Sequence, residues 1–228
     1  MSSSSAPYPS KNMAVTAVLY ALALCAAFSG AWLISLWLKE QGGPLGQPFF
    51  QFAYWLAMRL LLWVLPSLAI IRRTGKSVGD VLGLGRIRAI ALWGGIAGLV
   101  WGGKTPLFML LAHKPLHPAA LDWSFVTAVL YAPLVEEITF RGAIMGALET
   151  RLPFAMANFV TGVLFLLVHI PGWYFEGVFT LGFTYAAGSA LAILLLGWLL
   201  GYVAHRSKSV AAAAFTHTLN NLFQRFVP

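Results

Sequence analysis

Three short stretches of this 228-residue chain carry groups that can hold water, move protons or stabilise a developing anion. The first is Glu136-Glu137-Ile-Thr-Phe-Arg141-Gly142, the second Phe165-Leu-Leu-Val-His169, and the third His217-Thr-Leu-Asn220-Asn221. Carboxylates and imidazoles act as general bases and acids, while imidazole and carboxamide N–H groups bind oxyanions. Every one of these groups lies within an apolar run. On insertion scales a charged side chain at mid-bilayer costs ~2.5–3.5 kcal/mol, so three in six residues cost ~7–10 kcal/mol unless something offsets it. Glu137 and Arg141 are four residues apart with the acid first, the favourable order for an ion pair along a helix. Glu136 lies ~100° round the helix and is left for a different partner. The spacing suggests one acid for structure and one for chemistry. His217 and Asn221 are likewise four apart and project from one face, and Phe165 and His169 share another.

The elements that must position these groups follow from composition. The chain is 59% hydrophobic and 10% charged, with a mean hydropathy of +0.78. Soluble domains are about a quarter charged, so a lipid environment is the expectation. Seven apolar stretches are long enough to cross a bilayer: 13–38, 49–71, 89–112, 124–148, 152–170, 178–204 and 209–226. They are continuous, not alternating, so an all-α polytopic bundle is expected and a barrel is not. Residues 1–12 read as a disordered polar leader and 13–228 as one integral membrane domain. The first stretch is too long for a signal-peptide core and reads as a retained span. Pro66 and Pro133 are expected to bend their spans, and Gly102-Gly-Lys-Thr-Pro106 to kink or break the third.

The net charge of +8 does not point to nucleic acid, because the basic residues fall between apolar runs. With alternating spans, Lys11, Arg72, Arg73, Lys76, Arg86, Arg88, Arg151, Arg206 and Lys208 share one side. Lys39, Lys114 and Arg225 take the other, and Arg59, Lys104 and Arg141 lie inside spans. That bias predicts a cytoplasmic N-terminus and seven crossings. The expected location is a bacterial cytoplasmic membrane.

Other features read as packing. Gly94-x-x-x-Gly98 and Gly197-x-x-x-Gly201 have the small-residue spacing of close helix pairs. Gly98 to Thr105 also fits the phosphate-binding loop pattern, but no strand precedes it and it lies in a span, so nucleotide binding is not expected. Cys25 is a lone thiol in the first span, which excludes an internal disulfide. Neither it nor Ser189 has a base nearby in sequence. His113, His117 and His205 are assigned to loops with ordinary solvent roles.

Glu-Glu-x-x-x-Arg, then Phe-x-x-x-His, then His-x-x-x-Asn, in that order on late helices, resembles the CAAX-protease and bacteriocin-processing family of intramembrane endopeptidases. The resemblance covers 136–221, somewhat over a third of the chain. It implies an intramembrane endopeptidase acting on membrane-associated peptides or protein tails. By that resemblance Glu136 is the base and holds the attacking water with His169, His217 and Asn221 supply the oxyanion donors, and Glu137 and Arg141 brace the site. It favours a reaction without cofactor. The same atoms allow an alternative, with Glu136, His169 and His217 as three zinc ligands and water as the fourth. Membrane lipid and a peptide substrate are the partners implied. A non-catalytic transporter or scaffold, using buried Glu and His for protons or ligand, is the competing class. Arg59 is equally readable as a site residue or as half of a structural pair.

Overall fold

The computed structural model describes residues 12–117 and 120–227, so the expected disorder at the N-terminus lies outside the described residues, except for Asn12. Among the described residues the fold is helical throughout, with no strand. The long rods are α1 (Met13–Glu40), α2 (Pro48–Arg73), α4 (87–111), α5 (123–148), α6 (Phe154–Phe175), α7 (Phe183–Ser207) and α8 (Val210–Gln224). A short α3 (Val78–Leu82) precedes α4.

Five helical stretches are long and apolar enough to cross a membrane. The other two of the seven expected spans differ for physical reasons. Helix α5 carries Glu136, Glu137 and Arg141 in its middle, and α8 has only 15 residues. Both pack against several other helices, while Leu130 and Leu134 of α5 and Phe215 of α8 stay at the surface. The chain is an integral membrane protein, and the three charges of α5 are buried where lipid does not meet them.

Helix α8 is the central post, packed against α4, α5 and α7. Its close approach to α4 depends on a stripe of glycines. A Cβ at Gly94 would lie 2.6 Å from the Ala212 carbonyl oxygen, and one at Gly98 would lie 2.6 Å from a Leu219 methyl. At Gly102 it would come within 2.8 Å of the Asn220 Cα. The expected break at Gly102–Pro106 does not occur, and α4 continues through Pro106 to Leu111. The small residues there serve packing, and neighbouring helices tolerate the proline.

The bends expected at Pro66 and Pro133 take the form of wide turns. A π-helical segment (Leu60–Val64) immediately precedes the α-helical stretch beginning Leu65-Pro66, and another (Val126–Tyr131) precedes Ala132-Pro133. Proline lacks the N–H that would close a helical hydrogen bond and its ring crowds the preceding turn. Widening relieves the crowding and leaves carbonyls to be satisfied elsewhere. Tyr20 Oη on α1 meets the Leu62 and Trp63 carbonyls at 3.0 and 2.8 Å. Asn221 Nδ2 donates to the Ala128 carbonyl at 2.8 Å. Five residues on from Ala128 is Pro133, which has no N–H to offer.

Helix α5 starts where Asp122 caps it, accepting the Phe125 N–H at 2.8 Å and the Ser124 hydroxyl at 2.7 Å. The Ser124 bond and then the Phe125 N–H hold the Asp122 carboxyl below its ordinary range. Ser209 caps α8 in the same way, taking the Ala212 N–H at 3.3 Å. Its own hydroxyl reaches the Leu82 carbonyl at 2.7 Å and ties α3 to the start of the central post.

Candidate active site

The polar residues of α5 sit at mid-helix against a core that leaves them almost no solvent. Glu137 and Thr139 are fully buried, Arg141 is 2% exposed and Glu136 7%. Phe140 and Phe165 meet edge to face at 5.0 Å and carry the apolar side of this level. Arg141 lies over the Phe165 ring, its guanidinium carbon 4.6 Å from the centroid.

The expected pair along α5 is present, with Arg141 Nη1 donating to Glu137 Oε1 at 2.8 Å. Arg141 Nη2 donates to the Gly197 carbonyl at 2.7 Å. A Cβ at Gly197 would stand 3.3 Å from Phe165, a tight contact, and 3.6 Å from Arg141 Nη2, an ordinary one.

Glu137 Oε1 also accepts from His217 Nδ1 at 3.0 Å. A carboxylate only accepts, so His217 carries a proton on Nδ1 and turns Nε2 outward. That Nε2 stands 4.0 Å from Glu136 Oε2, a separation suited to one intervening water. His169 is oriented by the same logic. Its Nδ1 is 2.7 Å from the Phe165 carbonyl, which can only accept, so Nδ1 bears hydrogen and Nε2 is left for chemistry. Both rings flank Phe165, at centroid distances of 4.7 and 5.9 Å.

Glu136 has the separate partner that the spacing leaves room for, and it is Arg59. Its Nη1 reaches Glu136 Oε1 at 3.0 Å from the last residue before the wide turn of α2. The guanidinium is boxed by Phe28, Trp63 and Tyr131, each with a ring centroid within 6 Å. Sequence leaves the role of Arg59 open because nothing local links it to a residue 77 positions away.

Glu136, Arg59 and His169 line one cavity of about 290 Å³, walled by Trp32, Trp55, Trp63 and Trp173, with Gln51, Thr127 and Glu176 also lining it. Helix edges read from sequence set His169 almost at the end of its span. The helix instead runs through Pro171 to Phe175, six residues further, or ~9 Å. That extension places His169 inside the bundle, on a common wall with Glu136.

Asn221 behaves differently from the other site residues. Its amide nitrogen is bonded to Ala128 O and its oxygen accepts from Asn220 Nδ2 at 2.9 Å. Its partner Ala128 follows Thr127 of the cavity lining, and Asn221 itself is not part of that lining. Asn220, which sequence reasoning does not single out, is the more deeply buried of the two. His205 lies in the last turn of α7, not in a loop.

Among the described residues no group of three His, Cys, Asp and Glu side chains is disposed to hold a metal ion. Arg59 Nη1 holds one Glu136 oxygen at 3.0 Å, so the other oxygen is the one left for a further partner.

Glu136 and His169 thus line a small aromatic-walled cavity, His217 stands 4.0 Å from Glu136, and a buried Glu–Arg pair braces His217. Residues 118–223 match the Rce1-like family, described as type II CAAX prenyl endopeptidase Rce1-like. The matched stretch spans α5 to α8, with the connection leading into α5, and contains all three polar motifs. Comparison with curated proteins and with solved structures gives no match. The Rce1-like stretch excludes α1 and α2, which supply Tyr20 and Arg59.

Proposed function

We propose that the protein is an intramembrane endopeptidase that hydrolyses a peptide bond in a membrane-associated peptide or protein tail, with Glu136 as general base. The single observation that carries this reading is the placement of Glu136. It is buried, faces a cavity, and has His217 Nε2 4.0 Å from its free oxygen. A lipid-buried carboxylate with a free oxygen turned into a cavity beside an imidazole is a functional arrangement by default.

In this reading water sits between Glu136 Oε2 and the imidazoles. Glu136 takes a proton from it as its oxygen attacks the scissile carbonyl carbon. His217, protonated on both ring nitrogens between the Glu136 and Glu137 carboxylates, donates Nε2–H to the resulting oxyanion, and the second amide hydrogen of Asn221 donates beside it. Glu136 then passes the proton to the departing amine as the C–N bond breaks. Arg59 fixes the other Glu136 oxygen, so one lone pair is directed at the water. Glu137, braced by Arg141, accepts His217 Nδ1–H and holds the ring with Nε2 toward Glu136. No step uses a metal ion. The family match supports a prenylated C-terminal tail as the substrate class.

The test is cleavage of membrane-anchored reporter peptides by the purified protein and by Glu136→Gln, His169→Ala and His217→Ala. The reading expects cleavage by wild type, unaffected by chelators, and loss in all three variants at normal folding. Chelator-sensitive cleavage restored by zinc would replace the metal-free mechanism. Absence of wild-type cleavage across prenylated and unprenylated substrates would favour a non-catalytic role.

A further inference from the structure

A second cavity lies at the opposite end of the bundle from Gln51 and Glu176. It has a volume of about 400 Å³ and is bounded by the ends of α5 and α7, the start of α8, and the connection through α3. Its rim carries Lys76, Arg86 and Lys208, and Arg141 forms part of its lining. Two acids, Asp80 and Glu149, also line it, but both are engaged. Asp80 Oδ2 accepts from Ser77 Oγ at 2.6 Å, and Glu149 Oε1 lies 3.6 Å from His205 Nδ1. Among the described residues neither Lys76 nor Lys208 has an ion-pair partner within 4 Å.

The backbone is shaped to hold this rim. Lys208 adopts φ +52 at the C-terminus of α7, a left-handed conformation that glycine takes at less cost. Its carbonyl accepts from Arg86 Nη1 at 2.6 Å, which fixes the loop before α4 against the end of α7. At the inner end Arg141 Nε is buried with no hydrogen-bond partner. Buried donors of this kind are ordinarily satisfied. Lys76, Arg86, Lys208 and Arg141 thus line one hollow among the ends of α5 and α7 and the start of α8.

We propose that this cavity binds a phosphate-bearing anion, namely the phosphodiester headgroup of an acidic lipid or a free phosphate. Phosphate oxygens match the guanidinium and ammonium donors of the rim. Basic pockets between helix ends are the places where membrane proteins hold anionic headgroups. Its hollow is distinct from the Glu136 cavity, and Lys76 and Lys208, the residues tested, take no part in the peptidase reading.

The test places the full chain in nanodiscs of phosphatidylcholine with a minor fraction of phosphatidylglycerol and measures co-purified lipid by native mass spectrometry. Inorganic phosphate titrated into phosphatidylcholine discs, followed by the thermal midpoint, forms the second arm. Wild type is expected to retain phosphatidylglycerol preferentially. Lys76→Glu/Lys208→Glu should lower that retention about tenfold, the scale of ~1.4 kcal/mol. Arg72→Glu/Arg73→Glu, on the same end but outside the cavity, should leave it unchanged. If the double glutamate variant fails to fold, Lys76→Gln/Lys208→Gln takes its place with a smaller loss. A phosphate effect that depends on Lys76 and Lys208, without lipid preference, assigns the site to a soluble anion. Neither lipid preference nor phosphate effect, or equal losses in both variant pairs, overturns the proposal.

Discussion

Arg59 of α2 and Glu136 of α5 meet at 3.0 Å, joining a helix outside the Rce1-like stretch to the carboxylate at its centre. The pair is nearly buried, with side-chain exposures of 16% and 9%. Removing one partner of such a pair leaves an uncompensated charge, typically at a cost of ~3–5 kcal/mol. Arg59→Met should therefore lower the thermal midpoint in detergent markedly and abolish peptide cleavage. The double variant Arg59→Met/Glu136→Gln should recover most of the stability and none of the cleavage. Equal midpoints for Arg59→Met and wild type would show that the contact does not matter to the fold.

Glu137 is the shared acceptor for Arg141 at 2.8 Å and His217 at 3.0 Å. Glu137→Gln preserves shape but removes the charge opposite a buried guanidinium, so stability should fall by ~3 kcal/mol or more. The amide also offers His217 Nδ1 a donor in place of an acceptor in half of its orientations. Cleavage by whatever protein remains folded should fall at least tenfold, read as activity per folded molecule after size-exclusion chromatography.

How much of this was legible follows from where each signal resides. Charges in apolar runs are expensive enough to mark themselves, so Glu136, Glu137, Arg141, His169 and His217 stand out in sequence. The Glu137–Arg141 pair is local and follows from helical spacing. Arg59–Glu136 is tertiary, and only packing joins positions so far apart. The wide turns at 60–64 and 126–131 leave no mark in hydropathy beyond the prolines that follow them. Pro171 reads as a helix end, yet α6 carries it to Phe175, because neighbouring helices sustain a proline in a span. The short α8 looks long enough to span when apolar residues are counted, but its polar face needs protein, not lipid, around it.

Tyr20 Oη caps carbonyls loosened at the α2 wide turn. Tyr20→Phe should destabilise the protein by ~1–2 kcal/mol by leaving a buried acceptor without its donor. Activity per folded molecule should stay within about twofold of wild type, since the hydroxyl lies away from the cavity. Thermal unfolding and reporter cleavage on the same preparation check both halves.

Asn221→Asp keeps the size of the side chain and removes both amide hydrogens. If Asn221 serves the oxyanion as well as Ala128 O, kcat should fall by ~10²–10³ with KM little changed. A parallel loss of stability and activity, with no separate effect on kcat, would make it a structural cap alone.

The most direct measurement is single-turnover cleavage of a membrane-anchored peptide by Glu136→Gln beside wild type, in the same lipid and with folding verified. Loss of the bond-breaking step by several orders of magnitude, with peptide binding retained, is the outcome expected of a general base at this position. Cleavage by Glu136→Gln within tenfold of wild type would contradict the account.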